Sequence, residues 1–318
     1  MVISGQSETE SPFHPGEKAI QSKLGVQKRS EKVGKDFIRE YLTEEHQEFF
    51  SQLPYVIVGT VDSSGDVWAS ILVGKPRFIE VKSDRYIQVK AKPLSGDPLE
   101  SILAEGIDIG MLGIEFAARR RNRLNGKVSA IDADGFEVSV IQSFGNCPQY
   151  IQARTIEELS IKDSSLIREI ASFEEVGSNL IKSSDTLFIA TAYQAESAGS
   201  AGGVDISHRG GKPGFVRIDG DSILTIPDFR GNNFYNTLGN IQLNPHAGLL
   251  FIDFATGDLL SVTGDAEIVW SGEEIERYEG AERLVRFHLK KGYWMPNILN
   301  MRWTSPQFSP QLKKTGSW

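Results

Sequence analysis

Between Gly203 and Asn244 the chain reads GVDISHRGGKPGFVRIDGDSILTIPDFRGNNFYNTLGNIQLN, with arginine set beside glycine at Arg209-Gly210 and Arg230-Gly231. Guanidinium forks pair with phosphate oxygens, and glycine lets the backbone come close. The free N–H groups of a helix start then point at the charge. Here Asn232 and Asn233 lead into a short helical stretch, so the segment has the chemistry of an anion site. We expect it to hold a phosphate-bearing cofactor. A second basic row, Arg119-Arg120-Arg121-Asn122-Arg123, lies upstream. Strand alternation puts Arg119, Arg121 and Arg123 on one face and Arg120 on the other. Three unpaired guanidiniums in a dry core are too costly, so that face meets solvent or an anion. Surface pairing of Arg209 and Arg230 with Asp205 or Asp228 is the plain alternative.

The elements that must position these residues are mostly strands. YVIVGTV, VWASILVG, RFIEV, YIQVKA, IDIGMLGIEF, RRRNRLNGKVSAI and GFEVSVIQSF follow one another, separated by turn residues. Asp97-Pro98 opens a helix of about two turns. Glu17 to Val33 reads as a surface helix, and TEEHQEFFSQL as another with Thr43 as its cap. From Glu157 to Lys182 the spacing is helical, and strands resume with DTLFIATAYQ. A small-residue loop, Ala195 to Gly203, then precedes the arginine–glycine stretch and has the makings of a lid. Ser271-Gly272-Glu273-Glu274 reads as a capping box for a helix running toward Lys291. The expected organisation is an N-terminal arm and helix (1–42), a first β domain (43–156) and a helical linker (157–184). A second β domain (185–270) and a C-terminal helix and tail (271–318) follow.

The halves repeat. Gly74-Lys75-Pro76-Arg77-Phe78 recurs as Gly211-Lys212-Pro213-Gly214-Phe215, 137 positions later. Gly113-Ile114-Glu115-Phe116-Ala117 recurs as Phe251-Ile252-Asp253-Phe254-Ala255, and Asn125-Gly126 as Thr263-Gly264, both 138 positions later. A nearly constant offset across separate landmarks is the mark of an internal duplication.

Composition sets the outer limits. The chain has 318 residues, 40% hydrophobic and 24% charged, with a net charge of −8. That length holds two cores, and the acidic balance argues against nucleic acid and anionic membrane surfaces as partners. One cysteine, Cys147, excludes an intrachain disulfide and any multi-cysteine metal site; no metal is expected, and a reducing cytoplasm suits it. The N-terminal segment lacks the features of a signal peptide, and no apolar run approaches a membrane span. Ser70 and Ser207 have no His–Asp partnership, which leaves serine nucleophile chemistry without support.

The segment TIPDFRGNNFYNTLGNIQLNPHAGLLFIDF, followed by SVTGDAEI, resembles the pyridoxamine 5′-phosphate oxidase-like, FMN-binding split-barrel family. The likeness covers about 185–270 well and, through the repeat, 54–151 more weakly. FHPGE (13–17), RRRNRLNG (119–126) and SFGNCPQYI (143–151) are similar to a larger two-barrel branch. The resemblance implies a mainly β fold, two tandem split β-barrels with short helices, binding FMN in the groove between them. It implies cofactor contacts at Ser207, His208, Arg209, Gly210 and Lys212, then at Arg230, Gly231, Asn232, Asn233, Asn236 and Thr237.

The chain departs from the pattern in one respect. The Arg-Gln-x-Arg expected before the late glycine is Asp258-Leu259-Leu260-Ser261, whereas the first half keeps a comparable row before Asn125-Gly126. Conversely, the first half has Ala69-Ser70-Ile71-Leu72 and Lys90-Ala91-Lys92-Pro93 where the second has its arginines. Each half lacks what the other keeps, so a composite site follows, with Arg119, Arg121 and Arg123 completing it across the groove. The implied function is a flavin-dependent oxidoreductase acting on an unidentified small molecule, with NAD(P)H as a candidate donor. A non-catalytic flavin- or haem-binding storage module is the alternative, and a homodimer stays open.

Overall fold

A strand as evenly apolar as YVIVGTV is at home only where both of its faces are covered. The computed structural model describes residues 11–75, 77–160, 166–174 and 177–318. There the segment, β1 (Tyr55–Val61), divides two cores. Val56 and Val58 lie among Ile87, Met111 and Leu124 inside the first barrel. Tyr55 and Ile57 pack instead with Phe188, Ala190 and Ile206 of the second half.

Three helices, α1 (Pro15–Lys23), α2 (Gln27–Phe37) and α3 (Glu44–Gln52), precede β1. Then come β2 (Val67–Val73), β3 (Ile79–Ser83), β4 (Tyr86–Val89), β5 (Asp108–Glu115), β6 (Arg120–Ile131) and β7 (Phe136–Asn146). A one-turn helix, α4 (Leu99–Ile102), stands between β4 and β5. A connection of β8 (Ile156–Ser160), β9 (Arg168–Ile170) and α5 (Ser178–Ser183) leads to the second set. That set is β10 (Thr186–Tyr193), β11 (Gly203–Gly210), β12 (Arg217–Asp219), β13 (Ile223–Phe229), β14 (His246–Ile252), β15 (Leu259–Val269) and β16 (Ala281–Met295). Helix α6 (Asn236–Leu243) separates β13 from β14, and α7 (Glu273–Arg277) separates β15 from β16. Near the C-terminus β17 (Asn300–Trp303) pairs with β8.

The sheets run β2-β1-β5-β6-β7-β4-β3 and β11-β10-β14-β15-β16-β13-β12, the same order strand for strand, with β9 added beside β16. The fold is mainly β, two split barrels related by duplication. The repeated glycines have steric reasons. Each long hairpin shifts register at its glycine, Gly126 in β6 and Gly264 in β15. A Cβ there would come within 2.1 Å of the Ser139 oxygen and 2.0 Å of the His288 oxygen respectively. The barrels meet by a matched pair of contacts. A Cβ on Gly110 would lie 2.5 Å from the Val204 oxygen, and one on Gly248 2.5 Å from the Val67 oxygen. Those two contacts are equivalent under the repeat, so the halves face each other about a pseudo-twofold axis.

Several expectations need correction. The segment 157–184 is no helical linker: β8 and β9 lie in it and only α5 is helical, while 161–165 and 175–176 fall outside the described residues. The second barrel does not end at 270, because β16 supplies a 15-residue central strand. The helix expected from 271 toward Lys291 shrinks to the five residues of α7, and Ser271 makes no side-chain cap. The expected helix from Glu17 to Val33 is two, broken where Gly25 takes a φ of 70°. Expectations placed on residues 1–10 lie outside the described residues. Among the described residues no helix is long and apolar enough to cross a membrane.

Candidate functional site

Edge strand β11 sorts its side chains by alternation. Val204 and Ile206 enter the apolar layer between the barrels. Ser207 and Arg209, one residue out of phase, face the groove with Asp205 beneath them. His208 therefore falls on the apolar side. Its ring sits 5.8 Å from that of Phe188 and 6.4 Å from that of Phe116, and neither ring nitrogen has a hydrogen-bond partner. Its carbonyl alone serves the groove, accepting from Arg121 Nη1 at 3.3 Å. Burial first, and then the charges of Arg121 and Arg209, hold the imidazole well below its ordinary pKa. The unfolded chain takes up this proton below about pH 6.5 and the native chain does not, so His208 destabilises the fold as pH falls. We expect His208→Leu to shrink the stability lost between pH 7.5 and 5.5 by about 1 kcal/mol, measured by urea denaturation at both pH values.

Strand β6 of the first barrel lies across from β11. Arg123, 3% exposed, donates from Nη1 to Asp205 at 2.7 Å and from Nη2 to the Ser207 hydroxyl, while its Nε has no partner. Asp205 also accepts from Asn125 at 2.8 Å and, on its other oxygen, from Asn240 of α6 at 2.9 Å. One carboxylate thus ties both barrels and α6 together. Arg121, two residues along the same face, donates to the Cys147 carbonyl at 3.0 Å and has no acid partner among the described residues. Burial, with Arg209 and Arg123 nearby, pushes its pKa down to about 9. An arginine keeps its proton in such a setting, so the shift registers positive charge without a matching counter-ion.

The third wall is the turn from β13 into α6. Asn233 and Tyr235 adopt left-handed φ values of 65° and 64°, and the N-terminus of α6 has no side-chain cap. Its first-turn N–H groups and the positive end of its dipole are therefore free to meet an anion. Thr237 donates to Ser207 at 3.0 Å. Arg230 and Gly231 are exposed at the rim, and the Arg230 side chain makes no hydrogen bond or ion pair among the described residues. Arg209 is 3.5 Å from Asp228, which Arg283 approaches at 3.7 Å.

An N-terminal strap holds this turn, and the sequence did not mark it as part of the site. Helix α1 crosses α6 so closely that a Cβ on Gly16 would come within 2.1 Å of the Gly239 oxygen. Glu17, buried beneath, accepts from the His14 amide and from Asn236 Nδ2. Gln21 and Ser30 donate to the carbonyls of Phe234 and Asn233. The FHPGE motif is thus a docking segment: His14 caps α1, Pro15 and Gly16 begin it, and Glu17 reaches the clamp.

Together these walls border a groove of about 110 Å³ that opens to solvent. It brings together Arg121, Arg123, Ser207, Arg209, Gly210, Arg230, Gly231, Asn232, Asn233, Asn236 and Thr237, and the backbone of His208, with Cys147 and Tyr150 beside them. Two expected residues stand elsewhere. Arg119 precedes β6 with a φ of 52° and donates to the Ile151 and Gln307 carbonyls. It is out of phase with the strand because it is not in it. Lys212 lies in the turn after β11 and does not line the groove; nor does the 195–203 loop, largely a 3-10 turn.

On the other side of the pseudo-twofold axis the equivalents of Arg121, Arg123 and Arg209 carry no charge, while Lys92 stands where Arg230 does. Leu259 and Ser261 stand for Arg121 and Arg123, and the Ser261 hydroxyl donates to the Ala69 carbonyl at 2.9 Å. Ser70, the counterpart of Ser207, donates to Asp97 at 2.5 Å. Among the described residues the arginine-lined groove has no matching copy across the axis, and it is built from both halves.

No protein-family model and no curated protein matches the chain. Solved structures do. HupZ of Group A Streptococcus is 19% identical over 35% of this chain and 85% of that one, with a TM-score of 0.27. A putative pyridoxamine 5′-phosphate oxidase from Lactobacillus delbrueckii is 17% identical over 36% of this chain and 87% of that one, with a TM-score of 0.28. A putative 5-nitroimidazole antibiotic resistance protein from Bacteroides thetaiotaomicron is 10% identical over 48% and 96%, with a TM-score of 0.30. The chain resembles pyridoxamine 5′-phosphate oxidase-like split-barrel proteins.

Proposed function

We propose that the groove binds FMN non-covalently and that the protein is a flavin-dependent oxidoreductase acting on a small molecule. The observation that carries this reading is charge. Four guanidiniums (Arg121, Arg123, Arg209 and Arg230) stand against two carboxylates, Asp205 and Asp228, and Arg283 is offset by Glu282. Burial raises the pKa of Glu17, behind Asn236, well above the usual carboxylate range and so toward its neutral form, which leaves two positive charges over, the complement of a phosphate dianion. Arg121 and Arg209 would hold that phosphate with the first-turn amides of α6, and Arg230 would close over it from the rim. Arg123 is engaged by Asp205 and would act by fixing β11 and α6. The unpartnered Nε of Arg123 and the uncapped helix both fit such a ligand.

When bound, the flavin supplies hydride or electron transfer, and the protein supplies orientation and charge. Reduced nicotinamide is the natural donor to test, and with no Gly-x-Gly-x-x-Gly motif in the chain it would bind transiently. A storage role is the second reading. It is favoured by the absence, among the described residues, of a free carboxylate or imidazole on the groove: Asp228 is engaged by arginines and the His208 ring faces away. A cytoplasmic location and further pairing of two chains belong to the same proposal, checked by cell fractionation and by mass in solution.

The visible spectrum of purified protein tests the cofactor. Flavin bands that survive dialysis support it, a haem Soret band replaces it with the haem alternative, and a colourless protein that takes up no added FMN refutes both. Bleaching by reduced nicotinamide separates enzyme from store.

A further inference from the structure

Glu17 is a buried acid that makes no contact with the groove itself. It is 2% exposed and lies under the first turn of α6, where a Cβ on Gly239 would come within 2.5 Å of its Cγ. Its Oε1 accepts from Nδ2 of Asn236, and Asn236 lines the groove. Its Oε2 accepts from the His14 amide at 2.8 Å. One amide side chain therefore stands between the buried acid and whatever the groove holds.

The strap fixes Glu17 in that place from both barrels. The Phe13 ring meets that of Phe234 edge-on at 5.3 Å, and Phe234 meets Phe144 of β7 at 5.9 Å. Gln142, also on β7, donates to the Pro12 carbonyl at 3.1 Å. With so little room to move, what can change at Glu17 is its proton.

The charged and titratable groups around it are few. On α1 they are His14, with Nε2 at 3.5 Å, and the neighbouring Lys18; on β11 there is Asp205 and on β6 Arg123, while α6 carries no charged residue. His14 Nδ1 accepts from the Gly16 amide at 3.2 Å, so a second proton on the ring would break the cap of α1. Burial also lowers the pKa of His14, whereas burial and then the charge of Asp205 raise that of Glu17. A proton reaching this pair thus settles on Glu17. Ionised, Glu17 would compete with a bound anion for the positive end of α6 and for the Asn236 amide, and like charges so placed repel.

We propose that Glu17 is a positioning residue for the groove's anion: neutral, it steadies Asn236 and the start of α6, and ionised it opposes the ligand, so that a proton on Glu17 and an anion in the groove favour each other. This rests on the groove being an anion site, though not on the anion being FMN.

Carbon-13 NMR of the full chain, labelled at the glutamate carboxyl carbons, tests it with sulfate as the probe. Sulfate keeps both charges from about pH 5 to 9, so the ligand's own titration does not enter. The Glu17 resonance is the one absent from Glu17→Gln or Glu17→Asp, and the measurement itself is made on the wild type. Its midpoint should rise by at least about half a pH unit when sulfate saturates the groove. By reciprocity, sulfate should bind about threefold more weakly where Glu17 is ionised, and Glu17→Gln should lose that pH dependence. At the same sulfate concentration Arg121→Ala should show a smaller rise. A midpoint that sulfate does not move, or a rise undiminished in Arg121→Ala, would overturn the proposal and leave the anion reading standing. If the wild type binds neither sulfate nor FMN, the anion reading falls and the proposal falls with it.

Discussion

Arg123→Ala should cost about 3–5 kcal/mol of folding stability, among the largest losses available to one substitution in this chain. The reason is what it leaves behind. Asp205, 7% exposed, would keep only the amides of Asn125 and Asn240 against its charge. The Ser207 hydroxyl would also lose a donor at the seam between the barrels. Because Arg123 sits on the first barrel and Asp205 on the second, the loss falls on their union. Urea denaturation of wild type, Arg123→Ala, Asp205→Asn and the double variant separates the pair from its parts. The double variant should recover a good part of the loss, since it leaves no unpaired charge. A single-variant cost near zero would mean that the pair contributes nothing to joining the barrels.

Arg121→Ala and Arg209→Ala should each weaken FMN binding by about 1.5–3 kcal/mol, or roughly 10- to 150-fold. Both side chains are partly buried, and Arg121 lacks an acid partner among the described residues, so a phosphate would be its counter-ion. Arg119→Ala and Lys212→Ala should bind FMN as wild type does, because neither residue lines the groove. Fluorescence titration of the stripped protein reads all four. The contrast between Arg121 and Arg119 is the informative one. They lie two residues apart in one arginine run, and only one of them is placed to meet the ligand.

That contrast also shows how far the sequence could be read. Alternation from Arg119 to Arg123 was sound as a rule, yet the strand begins at Arg120 and the preceding turn sends Arg119 toward the tail. A turn conformation leaves no periodic trace. The same rule applied to β11 would have removed His208 from the groove, since its neighbours Ser207 and Arg209 cannot share a face with it. The duplication was legible because its landmarks are glycines at close approaches and bulges, where a side chain has no room. Strand β16 was misread because the acidic residues at 273 and 274 suggested a longer helix, whereas AERLVRFHLKKGYWM is held as strand by ladders to both β13 and β15. Tertiary pairing settled what local spacing left open. The strap from α1 to α6 was visible only as the motif FHPGE, and its role depends on a contact more than two hundred residues away in the chain.

The central claim is a single cofactor groove, composed of both barrels, with its pseudo-symmetric counterpart abolished. Equilibrium dialysis of FMN against the stripped chain measures it most directly. The account predicts one FMN per chain at saturation; two per chain, or none, would contradict it.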